Sequence, residues 1–112
     1  MYIAMNRFQI VPGKEKIFEN LWKNRETYLE SVRGFKSFNL IKGEANETFT
    51  LYASHSIWAS KHAFTNWKNS EAFRKAYKNA GSAKNINIDH PKFEGFEAVS
   101  YTHLTLPTTV IV

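Results

Sequence analysis

Cysteine is absent from this chain, which excludes disulfides, thiolate nucleophiles and sulfur-ligated metal centres together. That absence suits a reducing compartment, so the expected location is cytoplasmic. No apolar run approaches the roughly 20 residues of a membrane-spanning helix, and no secretory hydrophobic segment is present; neither membrane spanning nor export is expected. Missing too are a glycine-rich phosphate loop, a nucleophile elbow, a paired-carboxylate motif and two histidines on adjacent helical turns with a carboxylate. The usual signatures of nucleotide binding, serine-type hydrolysis and zinc hydrolysis are therefore lacking. Acidic residues are scarce in one place: between positions 60 and 85, Lys61, Lys68, Arg74, Lys75, Lys78 and Lys84 are met only by Glu71. A basic helical surface attracts anionic ligands or nucleic acid. No RNA-binding sheet motif, zinc-finger spacing or helix-turn-helix pattern accompanies it, so no nucleic-acid partner is expected.

What the chain does have is aromatic surface. Nine Phe, five Tyr and three Trp in 112 residues supply the packing for one core, and the length fits one domain. Residues 2–11 alternate as a strand, with Ala4, Asn6, Phe8 and Ile10 on one face and Ile3, Met5, Arg7 and Gln9 on the other. Pro12-Gly13 ends it, and a helix follows with Ile17, Phe18, Leu21, Trp22, Arg25, Tyr28 and Leu29 at three-and-four spacing. Gly34 marks its stop. Residues 35–42 and 47–58 read as a hairpin around a turn at 43–46, with Phe49, Leu51, Ala53, His55 and Ile57 sharing one face of the second strand. Ser60 and Ser70 are N-cap candidates for two short helices, one through Trp67 and one through Ala80 with Gly81 behind it. A loop at 82–91 and a last strand at 93–101 complete the order.

Strand, helix, strand, strand, helix pair, strand is a ferredoxin-like α+β arrangement, an antiparallel sheet with helices on one face. Both faces of the first strand carry apolar groups, so the uncovered face predicts a symmetric partner and hence a homodimer. Residues 102–112 carry no formal charge and four Thr, a sharp change of composition. They are expected to be an extension foreign to the domain at 1–101; an extra edge strand is the alternative.

Candidate site residues follow from polar groups in apolar company. A buried amide left unpaired costs about 1–3 kcal/mol, so Asn6 is either tied to neighbouring backbone or lines a pocket and bonds a ligand. Phe64 and Trp67, and Phe73 and Tyr77, pair at helical spacing and serve equally as core or pocket wall. Arg74 and Lys78 repeat at the same spacing, as on a solvated face or at the mouth of a pocket for carboxylates or phosphates. His55 lies on an apolar strand face, His62 in a lysine-flanked helix, and His90 in a loop before Pro91, positioned to close over a site or to cap it.

The segments Ile3-Ala4-Met5-Asn6-Arg7-Phe8, Pro12-Gly13, Val32-Arg33-Gly34-Phe35, Tyr52-Ala53-Ser54-His55-Ser56-Ile57-Trp58, Trp67-Lys68-Asn69-Ser70-Glu71-Ala72-Phe73 and His90-Pro91-Lys92-Phe93-Glu94-Gly95-Phe96-Glu97 together resemble the antibiotic biosynthesis monooxygenase family, in particular its haem-degrading branch. The resemblance covers about the first hundred residues. It implies a dimeric α/β barrel of two ferredoxin-like protomers. It also implies a pocket for haem, or for an aromatic or quinol that reacts with dioxygen without a cofactor. In the haem-degrading members a strand Asn bonds the distal iron ligand, a Trp presses on the porphyrin, and a His ten residues later ligates iron. Asn6 and Trp67 match the first two places, and Tyr77 stands in the third. A tyrosine binds ferric iron only as phenolate, and a free phenol has a pKa of about 10. The resemblance thus implies Asn6, Trp67 and Tyr77 as catalytic groups, with Trp67 and Tyr77 at the cofactor and Tyr77 as metal ligand if haem binds; Arg74, by its place at a pocket mouth, is expected to join them in binding the cofactor. In the cofactor-free version His55 is the candidate base, since imidazole titrates in the right range. The partner is then a small, flat, hydrophobic or anionic molecule. A noncatalytic ligand-binding or sensing dimer is the alternative reading.

Overall fold

Strand β1 (Tyr2–Ile10) buries Tyr2, Ala4, Phe8 and Ile10 and leaves Ile3, Met5 and Gln9 half-buried, as its alternation requires. The computed structural model describes residues 1–25, 28–77 and 85–100; the side chains of Ala72, Ala76 and Tyr77 fall outside that description. Strand β1 pairs antiparallel with β3 (Thr50–Trp58) and β4 (Lys92–Glu97), and β2 (Phe35–Ala45) pairs antiparallel with β3. The sheet order is β2-β3-β1-β4, the ferredoxin-like topology expected of the sequence. The inner strands contain no proline, while Pro12 and Pro91 lie just outside β1 and β4, where no ladder donor is lost. Helices α1 (Glu15–Lys23), α2 (Lys61–Lys68) and α3 (Glu71–Tyr77) complete the fold.

Several local expectations shift. Helix α1 stops at Lys23 rather than running to Leu29. Tyr28 adopts a left-handed φ of 58°, and a single 3₁₀ turn at Leu29–Ser31 then carries Leu29 into the core. Leu29 therefore keeps helical spacing without belonging to the helix. Ile17 remains 48% exposed, because the packed stripe of α1 is Phe18, Leu21 and Trp22. Gly34 has a φ of +86° but stops no helix; a Cβ there would lie 2.5 Å from that of Ala63, so its small size lets α2 approach the start of β2. The hairpin turn falls later than expected, at 46–49, where Asn46 Oδ1 accepts from the N–H groups of Thr48 (2.7 Å) and Phe49 (2.9 Å). Ser60 and Ser70 do cap, accepting from the N–H of Ala63 (3.1 Å) and Phe73 (3.2 Å). Strand β4 ends at Glu97. The expectations for 78–84, including Lys78 and Gly81, and for 102–112 lie outside the described residues.

Among the described residues, the helix-covered face of the sheet holds two separate aromatic clusters. Tyr2, Ala4, Leu29, Trp58 and Trp67 form one, with Phe64 and Phe73 packed against it. Phe8, Ile10, Phe18, Tyr52 and Ile86 form the other, with Trp22 against it. Along β1 the first cluster takes positions 2 and 4 and the second takes 8 and 10. Position 6 is left between them.

Candidate functional site

The gap between the clusters is a cavity of about 850 Å³, within the roughly 300–1,000 Å³ of small-molecule sites. Asn6 lies on its floor, half-buried. The register sets Asn6 beside Ser54 of β3 and Phe93 of β4, so a row of amide, hydroxyl and ring crosses the sheet between the two aromatic cores. Among the described residues, no hydrogen bond ends on the Asn6 side chain. Its donor and acceptor are thus available to a ligand. Ser56, one row away, is already committed: it accepts from Trp58 Nε1 (2.9 Å) and donates weakly to Ala4 O (3.4 Å).

Trp67 forms a wall and is 7% exposed. Its ring packs tilted on Trp58 at 5.3 Å and meets Phe73 edge-on at 4.9 Å and 89°. The core and pocket alternatives for this residue are both realised, since one indole fills the cluster and faces the cavity. Phe64 stacks on Phe93 at 5.6 Å, and Trp22 stacks on Phe38 at 5.6 Å on the other side. Flat aromatic surface therefore borders the space at both ends.

The other expected site residues separate. His55 pairs with Met5 rather than with Asn6, which puts it on the helix-free face of the sheet, away from the cavity. The cause is alternation: His55 is an odd position on a strand whose even positions meet the helices. Arg74 lies on the exposed side of α3, bonded to Glu71 at 2.6 Å, and does not line the cavity. The side chain of Tyr77 lies outside the described residues. Among the described residues, the Lys and Arg side chains that line the cavity are Arg25, its guanidinium 4.6 Å from the Trp22 ring centre, and Lys68, its amine 5.9 Å from that of Phe93. His90 lines it as well, with Asp89 and Pro91. The sequence does not single out Ser54, Arg25 or Lys68 as site residues; pairing register and helix rotation bring them to the site.

Two groups with displaced proton affinities lie away from the cavity, at the α1 edge. Burial raises the Tyr52 phenol above its ordinary value, and its hydrogen bond to the Glu19 carboxylate adds to that. Glu15 is held below the usual carboxylate value, first by the hydroxyl of Thr50, which donates to Oε2 at 2.7 Å, and then by backbone N–H groups. Among the described residues no group of three His, Cys, Asp or Glu side chains is placed to hold a bare metal ion, and no helix is long and apolar enough to cross a membrane.

The antibiotic biosynthesis monooxygenase family model matches residues 1–79. A staphylobilin-producing heme oxygenase of Staphylococcus epidermidis is 27% identical over 89 residues, 79% of this chain and 84% of that protein. Among solved structures, an MhuD variant with manganese protoporphyrin IX superposes with a TM-score of 0.73 at 20% identity, over 92% of this chain and 99% of that one. A variant of SnoaB, a cofactor-independent oxygenase of Streptomyces nogalater, gives 0.65 at 18% identity, over 95% and 96%. The solved structures share the ferredoxin-like fold, and the family model spans well over half the sequence, including β1, α1, the hairpin, α2 and Trp67. The chain belongs to the antibiotic biosynthesis monooxygenase family.

Proposed function

We propose that this chain is a monooxygenase that takes haem as its substrate and works as a homodimer. The observation that carries the reading is the polar row of Asn6 and Ser54 set between two aromatic walls, a floor with free hydrogen-bonding groups beneath a flat apolar slot. A porphyrin suits that slot: it is planar, it offers ring faces to Trp67, Phe64 and Phe73, and its acidic side groups find Arg25 and Lys68 at the walls. The relative from S. epidermidis is a heme oxygenase, which supports the same substrate class. When bound, the haem iron supplies the site where dioxygen is reduced. The chain's own groups do the rest. Asn6 would donate through its amide to dioxygen in the slot and orient it, Trp67 would offer its indole to the ligand plane, and the aromatic walls would exclude water. The family's iron-ligand place falls at Tyr77, which would serve ferric iron only as phenolate.

The cofactor-free alternative rests on His55 as its base, and His55 lies on the other sheet face; among the described lining residues that part would fall to His90 or Asp89. Homodimerisation is supported by that same face, where Ile3, Met5 and Ile57 form an apolar centre and Ile41 (44%) and Phe96 (46%) remain exposed. A second copy covers it most economically. Light scattering should give twice the 13.0 kDa chain mass.

Hemin titration tests the substrate. A shifted Soret band that bleaches in air once a reductant is added is the expected result. A shifted band that stays stable under those conditions would favour storage or sensing, and no shift at all would overturn haem as the ligand.

A further inference from the structure

We propose that His90 supplies the nitrogen donor that holds the metal of a metalloporphyrin in this cavity. The inference rests on haem as the substrate and deepens that reading. It begins with placement. Among the described residues that line the cavity, His90 is the only histidine; His55 lies on the far face of the sheet, and His62 is exposed on α2 outside the lining. With no three-residue metal cluster among the described residues, a metal held here has to arrive with most of its own ligands, and it then needs a single donor from the protein.

The backbone brings His90 to the cavity wall. Ile88 N–H donates to Gln9 O at 2.8 Å, and the β1–β4 ladder begins at Arg7 and Lys92. Between these two anchors β1 has one residue, Phe8, whereas the opposing chain has three, Asp89, His90 and Pro91. The surplus has to bulge from the sheet plane, and all three residues line the cavity beside Phe8. The bulge is stiffened: Pro91 restricts the backbone of His90 to extended conformations, and the Asp89 carboxylate accepts the His90 N–H at 2.7 Å. Among the described residues no hydrogen bond ends on the His90 imidazole, so its ring nitrogens remain available. Chemistry adds a reason. A neutral imidazole ligates iron in haem proteins without first losing a proton, whereas a phenol must ionise to do so. His90 thereby restores at the β4 side the donor type that Tyr77 lacks on α3.

The test is the absorption and electron paramagnetic resonance spectrum of the ferric hemin complex in the full-length protein, compared with His90→Ala and Tyr77→Phe. Wild type and Tyr77→Phe should share an imidazole-ligated signature, His90→Ala should lose it, and free imidazole should restore it to His90→Ala. The melting temperature of apo His90→Ala should match wild type, because the side chain is exposed and bonds nothing described. An unchanged spectrum in His90→Ala would overturn the proposal while leaving haem binding intact. A wild-type protein that gives no hemin shift would overturn haem as the substrate and this assignment with it.

Discussion

The two aromatic clusters that border the cavity are made of similar residues and are fixed by different forces. At the α1 end, carboxylates on the helix bond hydroxyls on the sheet: Glu15 to Thr50 and Glu19 to Tyr52, with Lys42 3.9 Å from Glu19. At the α2 end no such tether joins helix to sheet among the described residues. Rings pack on rings there, Trp67 on Trp58 and Phe64 on Tyr2, with the buried Trp58–Ser56 bond lying within the sheet. Hydrogen bonds are directional and fix one geometry, whereas apolar contact is not directional and scales with area. The α1 end is therefore built as a fixed abutment, and the α2 end as a surface whose ring contacts can be shared with a flat ligand. That difference accounts for Trp67 belonging at once to core and site.

Trp58 is the residue on which the α2 end depends most. Its ring is 0% exposed and touches Phe35, Phe64 and Trp67, so Trp58→Ala removes the centre of the α2 cluster. A loss of about 3–5 kcal/mol is expected, read as a lower urea midpoint. If the α1 cluster holds independently, Tyr52 and Trp22 should keep residual order in the unfolding transition; loss of all probes at a single midpoint would show that the clusters act as one unit.

Asn6→Ala probes the space between. The residue belongs to neither cluster and bonds nothing described, so the melting temperature should stay close to wild type. Hemin turnover should fall by about 100-fold, the scale of losing one positioned donor. Full turnover in a normally folded variant would remove Asn6 from the mechanism. Gly95→Ala is milder and one-sided. A Cβ there would overlap the Tyr2 hydroxyl, so Tyr2 must move and the α2 cluster with it, at a cost of about 1–3 kcal/mol. Hydrogen exchange should loosen around Tyr2 and Phe64 while protection at Phe18 and Tyr52 persists.

The order of elements was legible because its signals are local: the alternation of β1, the Ser60 and Ser70 caps, and Pro12-Gly13 each act within a few residues. The end of helix α1 is hidden in the sequence because Leu29 keeps helical spacing from a separate 3₁₀ turn, and the positive φ of Tyr28 leaves no mark in the side-chain pattern. The site was legible only in part. Asn6 stands out as a lone amide among apolar residues, but its neighbour Ser54 emerges only once β1 and β3 are in register. His55 shared a face with Leu51 and Ala53, as alternation implies, yet nothing in a single strand says which face the helices cover. Arg74 and Lys68 look equivalent as basic helix residues; the rotation of α2 and α3 turns Lys68 to the cavity and leaves Arg74 with Glu71 outside.

The smallest effect distinguishes the abutment from the ligand surface by pH. Tyr52→Phe deletes the tether to Glu19, and because Glu19 keeps Lys42 nearby and remains partly exposed, the expected cost is about 1 kcal/mol with hemin binding unchanged. The folded phenol titrates above its unfolded value of about 10, so its contribution is fully present below that pH and is lost as pH rises toward the folded value. Wild type should therefore lose stability above about pH 10 more steeply than Tyr52→Phe. Glu15 has the opposite sign: its lowered value adds stability above the ordinary carboxylate range, lost as pH falls through the folded value, and Thr50→Ala should flatten that acid limb. Both limbs belong to α1. Identical alkaline limbs in wild type and Tyr52→Phe would show that the tether does not fix that end, and the contrast with the ring-packed α2 end would then lose its physical basis.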